Sequence, residues 1–86
     1  MSIALPAVLT IVEARAEAER LVAALAAEDQ PVLDASGLQT LDTSAIAVLL
    51  ECRRAAQAAG KTLQVVGAPP KLGQLAKLYG VDGLIA

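Results

Sequence analysis

Asp42, Thr43 and Ser44 are the residues in this chain whose types and spacing could do chemistry. A carboxylate is followed at once by two hydroxyls, where the apolar run ending at Leu41 gives way to helical spacing. Such hydroxyls can carry a phosphate, bond a partner protein or, given a general base, attack a substrate. The chain has no His, so the usual base is missing, and no nucleophile stands beside another base. Asp34 and Asp42 are the only carboxylates near the turn and belong to different elements, so no convergent pair for hydrolysis is expected. The pattern points to binding rather than catalysis, with no enzyme activity, cofactor or metal site expected. Asp42 is explained equally well as a helix N-cap accepting an N–H from Ser44 or Ala45, and a cap and a functional role are compatible.

Two other stretches invite a chemical reading. Gly60, Lys61 and Thr62 mimic the end of a phosphate-binding P-loop, but Ala55 stands where that motif needs its first Gly. The triplet also leaves a helix and enters a strand, the reverse of a P-loop, so Gly60 reads as a helix stop. Cys52 lies on an apolar stripe with no His to activate its thiol, and reads as packing.

Eighty-six residues make one small domain with a modest core. The composition is 56% hydrophobic with a single aromatic residue, Tyr79, so the core must be built from closely packed Ala, Val, Leu and Ile. A net charge of −2 with interspersed signs, and no aromatic stacking platform, argue against nucleic acid as a partner. No apolar run approaches the ~20 residues that cross a bilayer, and the first residues lack the order of a signal peptide. A lone Cys cannot form an intrachain disulfide. A cytoplasmic location is expected, with any membrane reached only through a partner.

The elements that position Asp42, Thr43 and Ser44 follow from the spacing. Residues 2–10 predict one short strand, or two very short ones turning at Pro6 and Ala7, and Thr10 is placed to cap a helix from Val12 to about Ala27. On that helix Ala14, Ala18, Leu21 and Leu25 form a narrow apolar face, with Glu13, Arg15 and Glu19 opposite and solvated. Pro31 opens a strand that bends at Ala35, Ser36 and Gly37 before Leu38 to Leu41. A helix is predicted from Asp42 to Ala59, a strand from Lys61 to Val66, and a helix from Pro70 to Gly80 with Leu72, Leu75, Leu78 and Tyr79 on one face. Val81 to Ala86 reads as an apolar tail packed on the domain edge. The alternation predicts a single α/β domain over residues 1–86, with a mixed, mostly parallel sheet and helices packed on it.

At about 100° per residue the central helix carries two opposed stripes. Ala45, Val48, Leu49, Cys52, Ala56 and Ala59 are expected to face the sheet. Thr43, Ala47, Leu50 and Arg54 face outward, with Ile46 and Gln57 at the shoulder. A hydroxyl, small apolar contacts and a long cation make the kind of rimmed patch that partner proteins use. The predicted partner face is therefore Thr43, Ile46, Ala47, Leu50 and Arg54, and self-association of the isolated chain through it is a further expectation.

The order LDASGLQTLDTSAIAVLLECRRAAQAAGKTLQVVGAPPKLGQLAKLYGV resembles a STAS domain, the fold shared by bacterial anti-sigma factor antagonists and the cytoplasmic tails of sulfate transporters. The resemblance is carried by a strand ending in a D-[ST]-[ST]-G-L type turn, a helix rich in Val and Leu, a strand before a Pro-containing turn and a final helix, and it covers nearly the whole chain. The chain departs from the family pattern at Ala45 and Ile46, where Gly and Leu are usual, although Ala is well tolerated in a first helical turn.

Two branches of the family are similar. In the antagonists the second hydroxyl after the Asp is phosphorylated by a serine kinase anti-sigma factor, which implies Ser44 as the phosphorylation site and that kinase as the partner. In the small STAS subunit of Mla-type phospholipid-transport ABC systems, a similar D-T-x-G-L turn places its Thr at the contact with the ATPase, which implies Thr43. The Asp-Thr pair, the short length and the ending LAKLYGVDGL favour the second branch. That resemblance implies a non-enzymatic accessory subunit of an ABC transporter ATPase. It would serve outer-membrane lipid asymmetry from the inner face of the inner membrane, with Thr43 or Ser44 open to phosphorylation.

Overall fold

Pro6 and the bend at Ala35 to Gly37 interrupt two strand patterns, because Pro lacks a ladder N–H and a bend breaks the alternation. Each pattern accordingly becomes two short strands. The computed structural model describes residues 2–81 and 83. Its elements are β1 (Ser2–Ala4), β2 (Val8–Leu9), α1 (Ala14–Ala26), β3 (Val32–Asp34), β4 (Thr40–Leu41), α2 (Thr43–Ala58), β5 (Gln64–Val66) and α3 (Pro70–Leu78). The fold is α/β, as expected.

Strands β1, β3 and β5 form one sheet in the order β1-β3-β5, and β2 pairs with β4 in a second. The mixed character expected of the sheet is not seen, since every pairing among the described residues is parallel. Register aligns Ile3 with Leu33 and Leu33 with Val65, an apolar row across three strands. Single backbone bonds carry the pairing past the interruptions, from Leu5 N to Asp34 O at 2.9 Å and from Ala35 N to Val66 O at 2.8 Å.

One fully buried leucine comes from each of five elements: Leu9 from β2, Leu21 from α1, Leu33 from β3, Leu49 from α2 and Leu72 from α3. Buried alanines, Ala18, Ala45, Ala56 and Ala76, let the helices lie close to their neighbours, as a core without large rings requires. The middle helix is α2, which packs against both α1 and α3.

Three helix ends set the loops around it. Thr10 and Glu13 interlock ahead of α1: Glu13 Oε1 accepts the Thr10 N–H at 2.9 Å and the Thr10 hydroxyl at 2.6 Å, while the Thr10 hydroxyl oxygen accepts the Val12 N–H at 3.4 Å. Glu13 is therefore engaged rather than simply solvated, and α1 proper starts at Ala14, one turn after Thr10. Gly60 (φ 73°) ends α2 in a Schellman motif, with Gly60 N bonded to Gln57 O and Lys61 N to Ala56 O. Lys61 closes this motif, and its Nζ reaches the C-terminal carbonyls of α1 at Leu25 (3.4 Å) and Ala26 (3.1 Å). Because the Lys61 N–H is used at the end of α2, Lys61 does not join the ladder, and β5 begins at Gln64 rather than at Lys61. It also gives the GKT triplet a structural role, a cation on a helix C-terminus.

Ala59, expected on the core stripe, is exposed, because it is the C-cap where the chain turns away from α2. On α3 the buried pair is Leu72 and Ala76, while Leu78 and Tyr79 are exposed. Leu78 falls about 120° off the Leu72 direction at helical spacing, so it cannot share that face. Of the tail expected over residues 81–86, positions 82 and 84–86 lie outside the described residues, and Val81 packs against the core.

Candidate functional site

Asp42 is extended (φ −132°, ψ −166°), as an N-cap must be, and its Oδ1 accepts the Ser44 N–H at 2.8 Å. Its second oxygen, Oδ2, accepts the Ile11 N–H at 3.1 Å from the turn between β2 and α1. One carboxylate thus ties together two segments 31 residues apart. The Ser44 N–H lowers the Asp42 pKa first, and the Ile11 N–H, the Ser44 hydroxyl and the Lys71 charge lower it further against an opposing desolvation. Glu13 is held below its ordinary value by the Thr10 hydroxyl and then the Thr10 N–H.

Beyond this cap the two hydroxyls diverge. Thr43 is exposed, whereas Ser44 is half-buried. Ala47 is exposed and Leu50 is half-buried against the core. Ile46 is 5% exposed, so it belongs to the core and reaches the surface only as a floor. Thr43, Ile46, Ala47 and Leu50 join Tyr79 and Val81 in lining an open depression of about 300 Å³. Arg54 is exposed but lies outside the lining. Ala45 is fully buried in the first turn of α2, its N–H bonded to Asp42 O at 3.0 Å.

Tyr79 and Val81 are the lining residues that sequence reasoning missed. A Schellman motif at the end of α3 brings them there: Gly80 (φ 71°) turns the chain, Gly80 N bonds Lys77 O, and Val81 N bonds Ala76 O at 2.8 Å. Gly80 was legible as a stop, but the side of α2 that the stop would meet depends on how α3 docks.

A larger groove, of about 520 Å³, lies where β3 and β5 begin and is lined by the loops at Asp29 to Val32 and Gly60 to Val65. It is remote in sequence and topology from the Asp42 turn, which follows the end of β4. Its Lys61 is already committed to the α1 carbonyls, and among the described residues it gathers no pair of groups suited to acid–base work. The chemically distinctive surface is therefore the start of α2. Cys52 is fully buried, and desolvation, helped by the Glu51 charge, pushes its thiol up to about 11, so it is a packing residue and not a nucleophile.

The arrangement of three helices, parallel strands and a hydroxyl-bearing helix start defines a STAS-type α/β domain. A solved structure described as an anti-sigma-factor antagonist (STAS) domain protein from Planctomyces limnophilus is similar in fold, with a TM-score of 0.80 at 17% identity, covering 98% of this chain and 77% of that one. The family model described as "Mlab, STAS domain" matches residues 1–86, and the chain belongs to that family. No curated protein sequence matches it. Membership of a STAS family is consistent with an accessory or regulatory role exercised through protein–protein contact.

Proposed function

We propose that this chain is a non-enzymatic accessory subunit that docks on the nucleotide-binding ATPase of a phospholipid-transport ABC complex and stabilises or tunes it, in service of outer-membrane lipid asymmetry. It works from the cytoplasm and meets the inner membrane only through that ATPase. The observation that carries the reading is the apolar depression at the start of α2. There an exposed hydroxyl, Thr43, stands at the rim of a surface made by Ala47, Leu50, Tyr79 and Val81 over Ile46. The description of the matching family, with its MlaB name, supports the identity of the partner.

Small apolar patches rimmed by polar groups gain affinity by excluding water from a few well-packed contacts. Thr43 offers one donor and acceptor at that rim. A phosphate there would add about −1.5 to −2 charges and oppose docking through desolvation. The rival reading, a partner-switching antagonist phosphorylated at Ser44, is disfavoured by the half-burial of Ser44 beside the exposed Thr43.

Co-purification with the ABC ATPase of the same organism tests the proposal. Thr43→Glu and Leu50→Asp should each abolish recovery of the ATPase while circular dichroism stays native. Retention of the ATPase by both variants refutes the docking face. ATP-dependent modification of Ser44 by a serine kinase, without ATPase recovery, establishes the rival.

A further inference from the structure

The turn joining β2 to α1 carries Ile11 and Val12, which are 74% and 82% exposed. Two adjacent β-branched apolar residues in water are held here with unusual thoroughness. Val12 N bonds the Thr10 hydroxyl oxygen at 3.4 Å, Thr10 N bonds Glu13 Oε1 at 2.9 Å, and Ile11 N bonds Asp42 Oδ2 at 3.1 Å. Three successive backbone N–H groups of an exposed turn are thus satisfied by side chains rather than by solvent. The last bond comes from the residue immediately before Thr43.

We infer that Asp42 is a positioning residue for the docking surface, one oxygen capping α2 and the other clasping Ile11 so that the Ile11–Val12 turn stands beside Thr43 as a second apolar contact for the same ATPase. The inference rests on the docking reading above. Contiguity is its warrant, since the clasp places the Ile11 backbone within one hydrogen bond of the residue adjoining Thr43. Rigidity is the physical reason it would matter. A contact ordered before binding loses little entropy on docking, and β-branched side chains have few rotamers to lose.

The chemistry of the cap supplies a selective probe. Asn and Ser are good N-caps and leave one acceptor for the Ser44 N–H. Neither supplies a second acceptor oxygen: Asn turns an N–H2 toward the Ile11 N–H, and Ser has a single, shorter hydroxyl. Asp42→Asn and Asp42→Ser therefore separate the clasp from the cap.

Amide hydrogen exchange on the isolated chain should show faster exchange at Ile11, by about tenfold, with the α2 amides unchanged. Affinity for the purified ABC ATPase should fall by about tenfold in Asp42→Asn and in the pair Ile11→Ser, Val12→Ser. Combining all three substitutions should add little, because the carboxylate acts through the turn. Unchanged exchange at Ile11 in Asp42→Asn overturns the clasp. Faster exchange with undiminished ATPase affinity, while Thr43→Glu still abolishes binding, overturns the positioning role and leaves the docking reading standing. If Thr43→Glu also binds normally, the docking reading fails and this inference fails with it.

Discussion

At the scale of single residues, the two hydroxyls after Asp42 are chemically alike and physically different. Thr43 is exposed in the first turn of α2 while Ser44 is half-buried, so the two hydroxyls differ in their access to solvent. Three of the described carboxylates also act at this scale. Asp42, Glu13 and Asp34 all have pKa values lowered by hydrogen bonds, Asp34 chiefly through Ser36. A lowered folded-state value means that the stabilisation is present above the unfolded value and is lost as pH falls through the folded one. Denaturant midpoints should therefore begin to fall as pH drops toward 4.5 and 3.8, the ordinary Glu and Asp values, and keep falling below them. Asp42→Asn should flatten that slope. Cys52 makes a separate prediction: buried and with its thiol raised to about 11, it should react with a thiol reagent only at the rate of unfolding.

At the scale of elements, helix ends and turns decide where surfaces fall. Gly67 adopts φ 68°, and a Cβ there would lie 3.0 Å from the Ser36 Cβ and 3.2 Å from the Ser36 N, in the turn that follows β3. Gly67→Ala should cost about 1–2 kcal/mol from the backbone alone, with the contact adding to it. Gly37→Ala is the control: nothing lies within 4 Å of its added Cβ, so urea titration should find it within about 0.5 kcal/mol of the parent. Gly80 does for the depression what Gly60 does for Lys61, returning the chain after a helix so that the next residue packs.

At the scale of the whole molecule, a leucine from each of five elements meets in a core with no large ring to spare. Leu49→Ala should cost about 2–5 kcal/mol. For 86 residues the total stability is of the order of 4–13 kcal/mol, so calorimetry should show either a much lowered melting temperature or no cooperative transition. The same small size leaves an apolar depression open to water. Sedimentation of the isolated chain should show concentration-dependent association that Leu50→Asp removes.

Much was legible before any coordinates. The strand–helix alternation, the Asp42 cap, the Gly60 stop, the Pro70 helix start and the opposed stripes of α2 all arise from interactions within a few residues, which local patterns record. The pairing of Thr10 with Glu13 is equally local, a T-x-x-E spacing. Other features join segments distant in the chain. The clasp from Asp42 to Ile11, the reach of Lys61 to α1 and the meeting of Tyr79 and Val81 with Thr43 each depend on how the elements dock, and no periodicity encodes that. The sequence by itself determined the elements, their order and the two opposed faces of α2, because those follow from backbone geometry and neighbour spacing. Only the tertiary structure decided that Ile46 would be buried beneath the depression, that Arg54 would lie outside its lining, and that the chain leaving α3 at Tyr79 and Val81 would wall it, because burial is set by packing between elements.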